Sequence, residues 1–165
     1  LAYQDGLTGL PNRAWFVERL QQAAGGRMPG GLGILYIDLD RFKVINDSVG
    51  HLFGDMMLKE AGTRLTGCVR GNDMVARLGG DEFAVLLPDT DVPKAMALAH
   101  RMCDAVRSLG IEHLAAEGRA HVTVSIGVAS LNLHEAADTS SAMLARADKA
   151  LYRAKKEGRN RVVRF

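Results

Sequence analysis

The feature that most limits the fold is a pair of short β-forming runs joined through two glycines. Met74-Val75-Ala76 precedes Arg77-Leu78-Gly79-Gly80-Asp81-Glu82-Phe83, and Ala84-Val85-Leu86-Leu87 follows it. Apolar, partly β-branched runs on either side of Gly-Gly predict a β-hairpin. Glycine reaches positive φ without steric cost, which a tight turn requires, and it has no Cβ, so a ligand can lie close to the backbone. Asp81 and Glu82 then put two acidic side chains at the hairpin tip.

Leu32 to Ile37 is a near-continuous apolar run, which predicts a central strand. It ends in Asp38-Leu39-Asp40, and strand alternation places Asp38 and Asp40 on one face. Two neighbouring carboxylates repel unless a cation or hydrogen bonds offset the repulsion. Capping of the next helix is the competing role for both. Upstream, Asp5 to Arg13 is a loop rich in turn formers. Asn12 is placed to cap a helix from Arg13 to about Ala24, with Phe16, Val17 and Leu20 on one face. Gly25 to Gly31 reads as a turn. Downstream, Phe42 to Asp47 is a short helical or turn segment, Gly50-His51 a break, and Asp55 the opening residue of a helix to about Leu65.

Beyond the hairpin, Pro88 to Pro93 is a loop leading to a helix over about Lys94–Leu109. Its Met96, Ala99, Cys103 and Val106 lie at helical spacing, a core stripe. His121 to Ala129 alternates and is β-branched, so it reads as a strand. A helix over Ser140–Lys156 follows, and Val162-Val163 forms an edge strand. This order predicts an α+β fold: a mainly antiparallel central sheet flanked by helices, with a ferredoxin-like β-α-β-β-α-β core.

At 165 residues the chain is one domain with room for a substantial core. Its net charge of +2 provides no electrostatic basis for nucleic-acid binding. Cys68 and Cys103 lack metal-motif spacing and read as reduced thiols, which points to a cytoplasmic location. The five histidines show no ligand spacing either. No apolar run reaches the ~18 residues of a membrane span, and no signal peptide is evident. No direct membrane insertion is expected of this segment, whether or not a parent protein is membrane-anchored elsewhere. The chain reads as a domain cut from something longer.

Gly79-Gly80-Asp81-Glu82-Phe83 resembles the signature of the diguanylate cyclases, the GGDEF-domain family. Other elements match that family in order. They are Asp5-x-Leu7-Thr8-x-Leu10-x-Asn12-Arg13, Asp38-x-Asp40-x-Phe42-Lys43-x-x-Asn46-Asp47, Gly50-His51 with Gly54-Asp55, and Lys155-x-x-Gly158-Arg159-Asn160. The resemblance covers nearly the whole chain and implies one catalytic domain over residues 1–165, similar to the palm of nucleotidyl cyclases. It implies condensation of two GTP into cyclic di-GMP with release of two pyrophosphates, using Mg²⁺, with Mn²⁺ as an alternative. By resemblance, Asp38 and Asp81 bind metal through carboxylates and Leu39 through its carbonyl. Glu82 is then a second metal or catalytic carboxylate, and the chosen proton acceptor. Position 81 is Asp here and Glu in many relatives.

The resemblance makes Asn46 and Asp55 the guanine-reading pair. A carboxylate accepts from guanine N1–H and the 2-amino group, donors that adenine lacks. Read without the family, Asp55 is a helix N-cap. Lys43, Lys155 and Arg159 are implied phosphate contacts, although basic residues at a helix C-terminus also complement its dipole. Gly79 and Gly80 are implied to border the GTP. A symmetric product made from two GTPs implies a homodimer with facing sites. Finally, Arg70-x-x-Asp73 stands five residues before the Gly-Gly and resembles the family's inhibitory site for cyclic di-GMP, with Arg101 as a secondary arm. A solvated turn is the alternative there. Two other functions stay open: a regulatory module that binds GTP or cyclic di-GMP without catalysis, and a cyclase that uses ATP.

Overall fold

The computed structural model describes residues 2–26, 29–115, 118–131 and 139–165; Leu1, Arg27 and Met28 of the expected N-terminal and Gly25–Gly31 segments lie outside them. In chain order the elements are α1 (Arg13–Ala24), β1 (Leu32–Leu39), α2 (Phe42–Val49), α3 (His51–Thr66), β2 (Met74–Gly79) and β3 (Glu82–Pro88). There follow α4 (Val92–Arg107), β4 (Glu112–Ala115), β5 (Gly118–His121), β6 (Val124–Leu131), α5 (Ser140–Lys156) and β7 (Val162–Arg164).

All eight residues of β1 are buried, as its unbroken apolar run requires. It occupies the middle of a five-stranded sheet ordered β2-β3-β1-β6-β7. The first four of these strands pair antiparallel, and β7 joins β6 in parallel at the edge. The β2-β3-β1-β6 order, with crossovers through α2–α3 and α4, is the expected ferredoxin-like core.

Strand alternation divides the core into two layers. Leu35, Ile37 and Leu39 face α3 and α4, where Met57, Leu58, Leu65, Leu98, Ala99 and Met102 are buried. Leu32, Ile34 and Tyr36 face α1 and α5, against Phe16, Leu20, Met143, Ala147 and Leu151. The helix α5 lies directly on β6 at Gly127. A Cβ there would collide with the backbone of Ala147 and Leu151, so only glycine permits the approach.

Several boundaries differ from the sequence reading. The helix expected from Asp55 begins at His51, because Gly50 at φ 101° ends α2 and starts α3 in one step. Asp55 is therefore not a cap but lies in the second turn. The helix α4 begins two residues earlier than expected. Asp91 accepts from the Lys94 N–H at 3.0 Å, and Pro93 sits in the first turn, where no N–H is needed. The strand expected over His121–Ala129 is split: His121 ends β5, and β6 begins at Val124. The β4–β5 hairpin was not anticipated.

Candidate active site

The hairpin turn is a two-residue loop, Gly80-Asp81, between paired Gly79 and Glu82, with a register shift between Arg77 and Gly79. Gly79 and Gly80 have φ of 136° and 51°. A Cβ at either would meet nothing within 4 Å, so their glycine character answers to backbone conformation and leaves open space above the turn.

The turn is braced from outside. The Arg77 guanidinium donates to the Gly80 carbonyl from Nε (3.0 Å) and Nη2 (2.8 Å), and from Nη1 to Asp5 Oδ1 at 2.8 Å. The other Asp5 oxygen accepts from the N–H and hydroxyl of Thr8, at 2.8 and 2.7 Å. Burial alone raises the Asp5 pKa, but these bonds and the Arg77 charge outweigh it and hold the carboxyl below its ordinary value. The Arg77 N–H donates to the Pro11 carbonyl at 2.9 Å, and Arg13 Nε to the Leu78 carbonyl at 3.4 Å. The Asp5–Arg13 loop is thus more than a helix entry: it fixes the conformation of the turn. Opposite it, the Leu39 N–H donates to the Asp81 carbonyl at 3.2 Å and ties the turn to the end of β1.

That tie brings Asp38 and Asp81 together. Asp38 is 5% exposed and sits opposite Glu82 on β3 and Ser125 on β6. Its Oδ2 pairs with Lys155 Nζ, while its Oδ1 is buried without a hydrogen-bond partner. Burial first, and the neighbouring Asp81 second, push the Asp38 pKa up to about 8 against the pull of Lys155. Neither Asp38 nor Asp40 caps α2, whose N-cap is Arg41 without a side-chain bond. Asp40 is spent on structure: it accepts from Thr123 Oγ1 (2.7 Å), Ser125 Oγ (2.6 Å) and the Asn160 N–H (3.0 Å).

Glu82 is turned away from this pair. Its Oε2 accepts from the Tyr36 hydroxyl at 3.0 Å and lies 3.7 Å from Arg13 Nη2. Burial and the Glu82 charge push the Tyr36 pKa up to about 12, with Arg13 opposing. Among the described residues no three His, Cys, Asp or Glu side chains converge on one point. The acidic centre is a carboxylate pair rather than the expected larger cluster. A pair is still the right donor set for Mg²⁺, which takes one or two carboxylates and completes its shell with phosphate and water. An unpartnered buried oxygen on one member, beside a like charge, is the arrangement a cation would relieve.

The implied guanine pair lies where α2 meets α3. Asn46 Oδ1 is buried without a partner and points at Gly54, where any Cβ would overlap it. Gly54 therefore keeps the space for that amide. Asp55 follows it, exposed, and Lys43 is exposed in the first turn of α2. The seating of α5 on Gly127 brings Lys155, in its last turn, to Asp38. Arg159 and Asn160 follow at φ 64° and 49°.

The far end of β2 carries a second cluster. Asp73 Oδ2 accepts from the Arg70 N–H at 2.9 Å and lies 3.7 Å from its Nε, while Asp73 Oδ1 is buried without a partner. Arg70, Asp73 and Arg101 border one cavity of about 240 Å³, with Thr90, Lys94 and Leu98. The turn expected there exists, and the structure adds that Arg101 belongs to the same surface.

The family model for the diguanylate cyclase GGDEF domain matches residues 2–161. The chain belongs to the GGDEF family. Among curated relatives, the GGDEF domain is 42% identical over 167 residues to the response regulator PleD of Caulobacter vibrioides, covering 99% of this chain and 36% of that protein. It is 42% identical over 163 residues to the diguanylate cyclase DgcP of Pseudomonas aeruginosa, covering 98% and 24%. The chain thus spans about a third or less of these relatives' length. Among solved structures, the GGDEF domain of DgcB from Caulobacter crescentus, in complex with cyclic di-GMP, superposes with a TM-score of 0.89. The identity is 30%, covering 99% of this chain and 93% of that one. The diguanylate cyclase SiaD of Pseudomonas aeruginosa, in complex with its activator SiaC, gives 0.87 at 34% identity, covering 99% and 62%.

Proposed function

We propose that this GGDEF domain is a diguanylate cyclase, the catalytic domain of a longer signalling protein, acting on cytoplasmic GTP. The single observation that carries the reading is the buried Asp38 beside the half-buried Asp81, with one Asp38 oxygen unpartnered and Lys155 on the other. In the reaction, the 3′-hydroxyl of each GTP attacks the α-phosphorus of the other. Two phosphodiester bonds form, and two pyrophosphates and two protons leave. Asp38, Asp81 and the Leu39 carbonyl would hold Mg²⁺ or Mn²⁺, with Glu82 available from the adjoining strand. When bound, the cation lowers the pKa of the attacking hydroxyl and neutralises charge on the leaving pyrophosphate.

The chain's own groups do the rest. Asn46 and Asp55 select guanine, and the desolvated Asn46 amide makes a mismatched base costly. Lys43, Lys155 and Arg159 hold phosphates, over a Gly79-Gly80 turn that leaves the ligand room. Glu82 is the acceptor for the hydroxyl proton, and to reach it the side chain would have to leave Tyr36 and Arg13, which hold it away from the pair. The domain acts as a homodimer with facing sites, because one copy presents one nucleotide. Arg70, Asp73 and Arg101 bind cyclic di-GMP and inhibit; the unpartnered Asp73 oxygen is an acceptor suited to guanine N–H groups.

Incubation with GTP and Mg²⁺, with nucleotides separated and pyrophosphate measured, tests the reading. Cyclic di-GMP and pyrophosphate are expected in a 1:2 ratio, with no product from ATP. GTP binding without either product would instead favour a regulatory module.

A further inference from the structure

The cations of this domain are not spread evenly. Residues 140–165, which carry α5 and β7, hold eight Lys or Arg against two acids, Asp148 and Glu157. The rest of the chain holds thirteen against seventeen, so the two parts have opposite net charge. Lys155 and Arg159 belong to the site described above and are set aside. Six cations remain: Arg146, Lys149, Arg153, Lys156, Arg161 and Arg164.

These cations share a face. Lys149, Tyr152, Arg153 and Lys156 stand at i, i+3, i+4 and i+7 and are all exposed. They form one stripe along α5, opposite the buried Ala147, Ala150, Leu151 and Ala154. The C-terminal strand continues it. Arg153 Nη1 donates to the Arg164 carbonyl at 3.5 Å, and the Arg146 guanidinium lies 5.9 Å from the centre of the Phe165 ring. Among the described residues none of Lys149, Arg153, Lys156, Arg161 and Arg164 is in an ion pair.

A run of like charge on a helix is ordinarily a solvated face, but this one also exposes large rings. Tyr152 is 60% and Phe165 54% exposed, more than any other aromatic side chain among the described residues. Lys156 Nζ lies over the Tyr152 ring at 5.4 Å, as Arg146 lies over Phe165. Aromatic rings interleaved with Lys and Arg are the composition of surfaces that rest at a lipid–water boundary, where the rings sit among headgroups and the long cationic stems reach phosphates.

We propose that the outer face of α5 and β7 docks on an anionic lipid surface. No spanning segment is involved, and no helix among the described residues is long and apolar enough to cross a membrane. Nucleic acid is the other polyanion of suitable charge, but stacking of bases needs open ring faces. Here a cation already covers one face of each ring. The stripe leaves out Lys155, whose Nζ is held at Asp38, so the inference stands apart from the cyclase reading.

The test is co-sedimentation of the whole chain, in EDTA, with vesicles of phosphatidylcholine alone and with phosphatidylglycerol added. Wild type is expected to bind only the vesicles that contain phosphatidylglycerol, and to be released by salt. The triple variant Lys149→Gln, Arg153→Gln, Lys156→Gln should lower the partition coefficient about a hundredfold, from about fivefold for each cation removed near the surface. Tyr152→Ser should weaken binding several-fold and leave the salt dependence as in wild type, because the ring is neutral. A control with the same loss of charge elsewhere, Arg19→Gln, Lys59→Gln, Arg64→Gln, should stay within about twofold of wild type. Thermal melting checks folding, and Lys149→Gln alone decides the matter, at about fivefold, if the triple variant does not fold. The proposal is overturned by equal binding to both kinds of vesicle or to neither. An unchanged partition in the folded α5 variants, or an equal loss in the control, overturns it as well. Preference for an oligonucleotide over the vesicles would assign the face to nucleic acid instead.

Discussion

Replacing Asp38 by Asn should stabilise the metal-free domain, and only at neutral to alkaline pH. The pKa of Asp38 rises from 3.8 to about 8 in the folded protein. Between those values the native state binds more protons than the unfolded chain, so stability falls as pH rises through that window. A shift of about four units corresponds to roughly 5–6 kcal/mol at ~1.36 kcal/mol per unit. This is an upper bound, because hydration and relaxation soften the cost of a buried charge. Asn cannot ionise and loses only the pairing with Lys155, whose side chain is 35% exposed and can turn to water. The gain of Asn over wild type should therefore grow by about 2 kcal/mol between pH 5 and 8, or ~4–8 °C in Tm. Urea unfolding in EDTA, followed through the single tryptophan Trp15, measures it. Titrations of groups distant from Asp38 cancel in the difference between the two proteins. A gain that is the same at pH 5 and 8, or that shrinks with pH, would refute the argument. Added Mg²⁺ should then stabilise wild type more than the variant.

Arg77→Ala removes the brace on the turn, where Arg77 and Asp5 are 15% and 16% exposed; it should cost about 2 kcal/mol by urea unfolding and lower turnover more than GTP binding. Gly127→Ala forces α5 off β6 and should destabilise by about 2–4 kcal/mol in the same assay. Arg70→Ala should weaken cyclic di-GMP binding by calorimetry and relieve product inhibition, while Mg²⁺ dependence stays as in wild type. Specific activity should rise with protein concentration; a flat rate per mole from dilute to concentrated protein would contradict action as a dimer.

The parts of the site legible in the sequence are those written in local chemistry. The Gly79-Gly80 turn follows from the conformations only glycine adopts freely, and the burial of β1 from its unbroken apolar run. What escaped notice depends on partners distant in the chain. The Asp5–Arg77 bond spans 72 positions, and nothing near either residue announces the other. Asp40 looks like the twin of Asp38 by alternation, yet its partners Thr123, Ser125 and Asn160 lie 83 to 120 positions away and make it a structural acid. The start of α3 was hidden because Leu52 is 89% exposed and interrupts the apolar periodicity. The strands β4 and β5 are four residues each, too short for alternation to stand out.

The seat of α5 on Gly127 has a consequence for how this sequence can change over time. The distance from β6 to α5 is set by backbone meeting backbone, with no side chain between to act as a spacer. Core residues elsewhere on the helix, such as Met143 and Leu151, are fully buried against the same layer, and exchanges that conserve their volume would leave that distance as it is. Lys155 would keep its reach to Asp38 through such drift. One glycine thereby holds the chemistry in place, and any side chain put there would lift α5 and carry Lys155 away from Asp38.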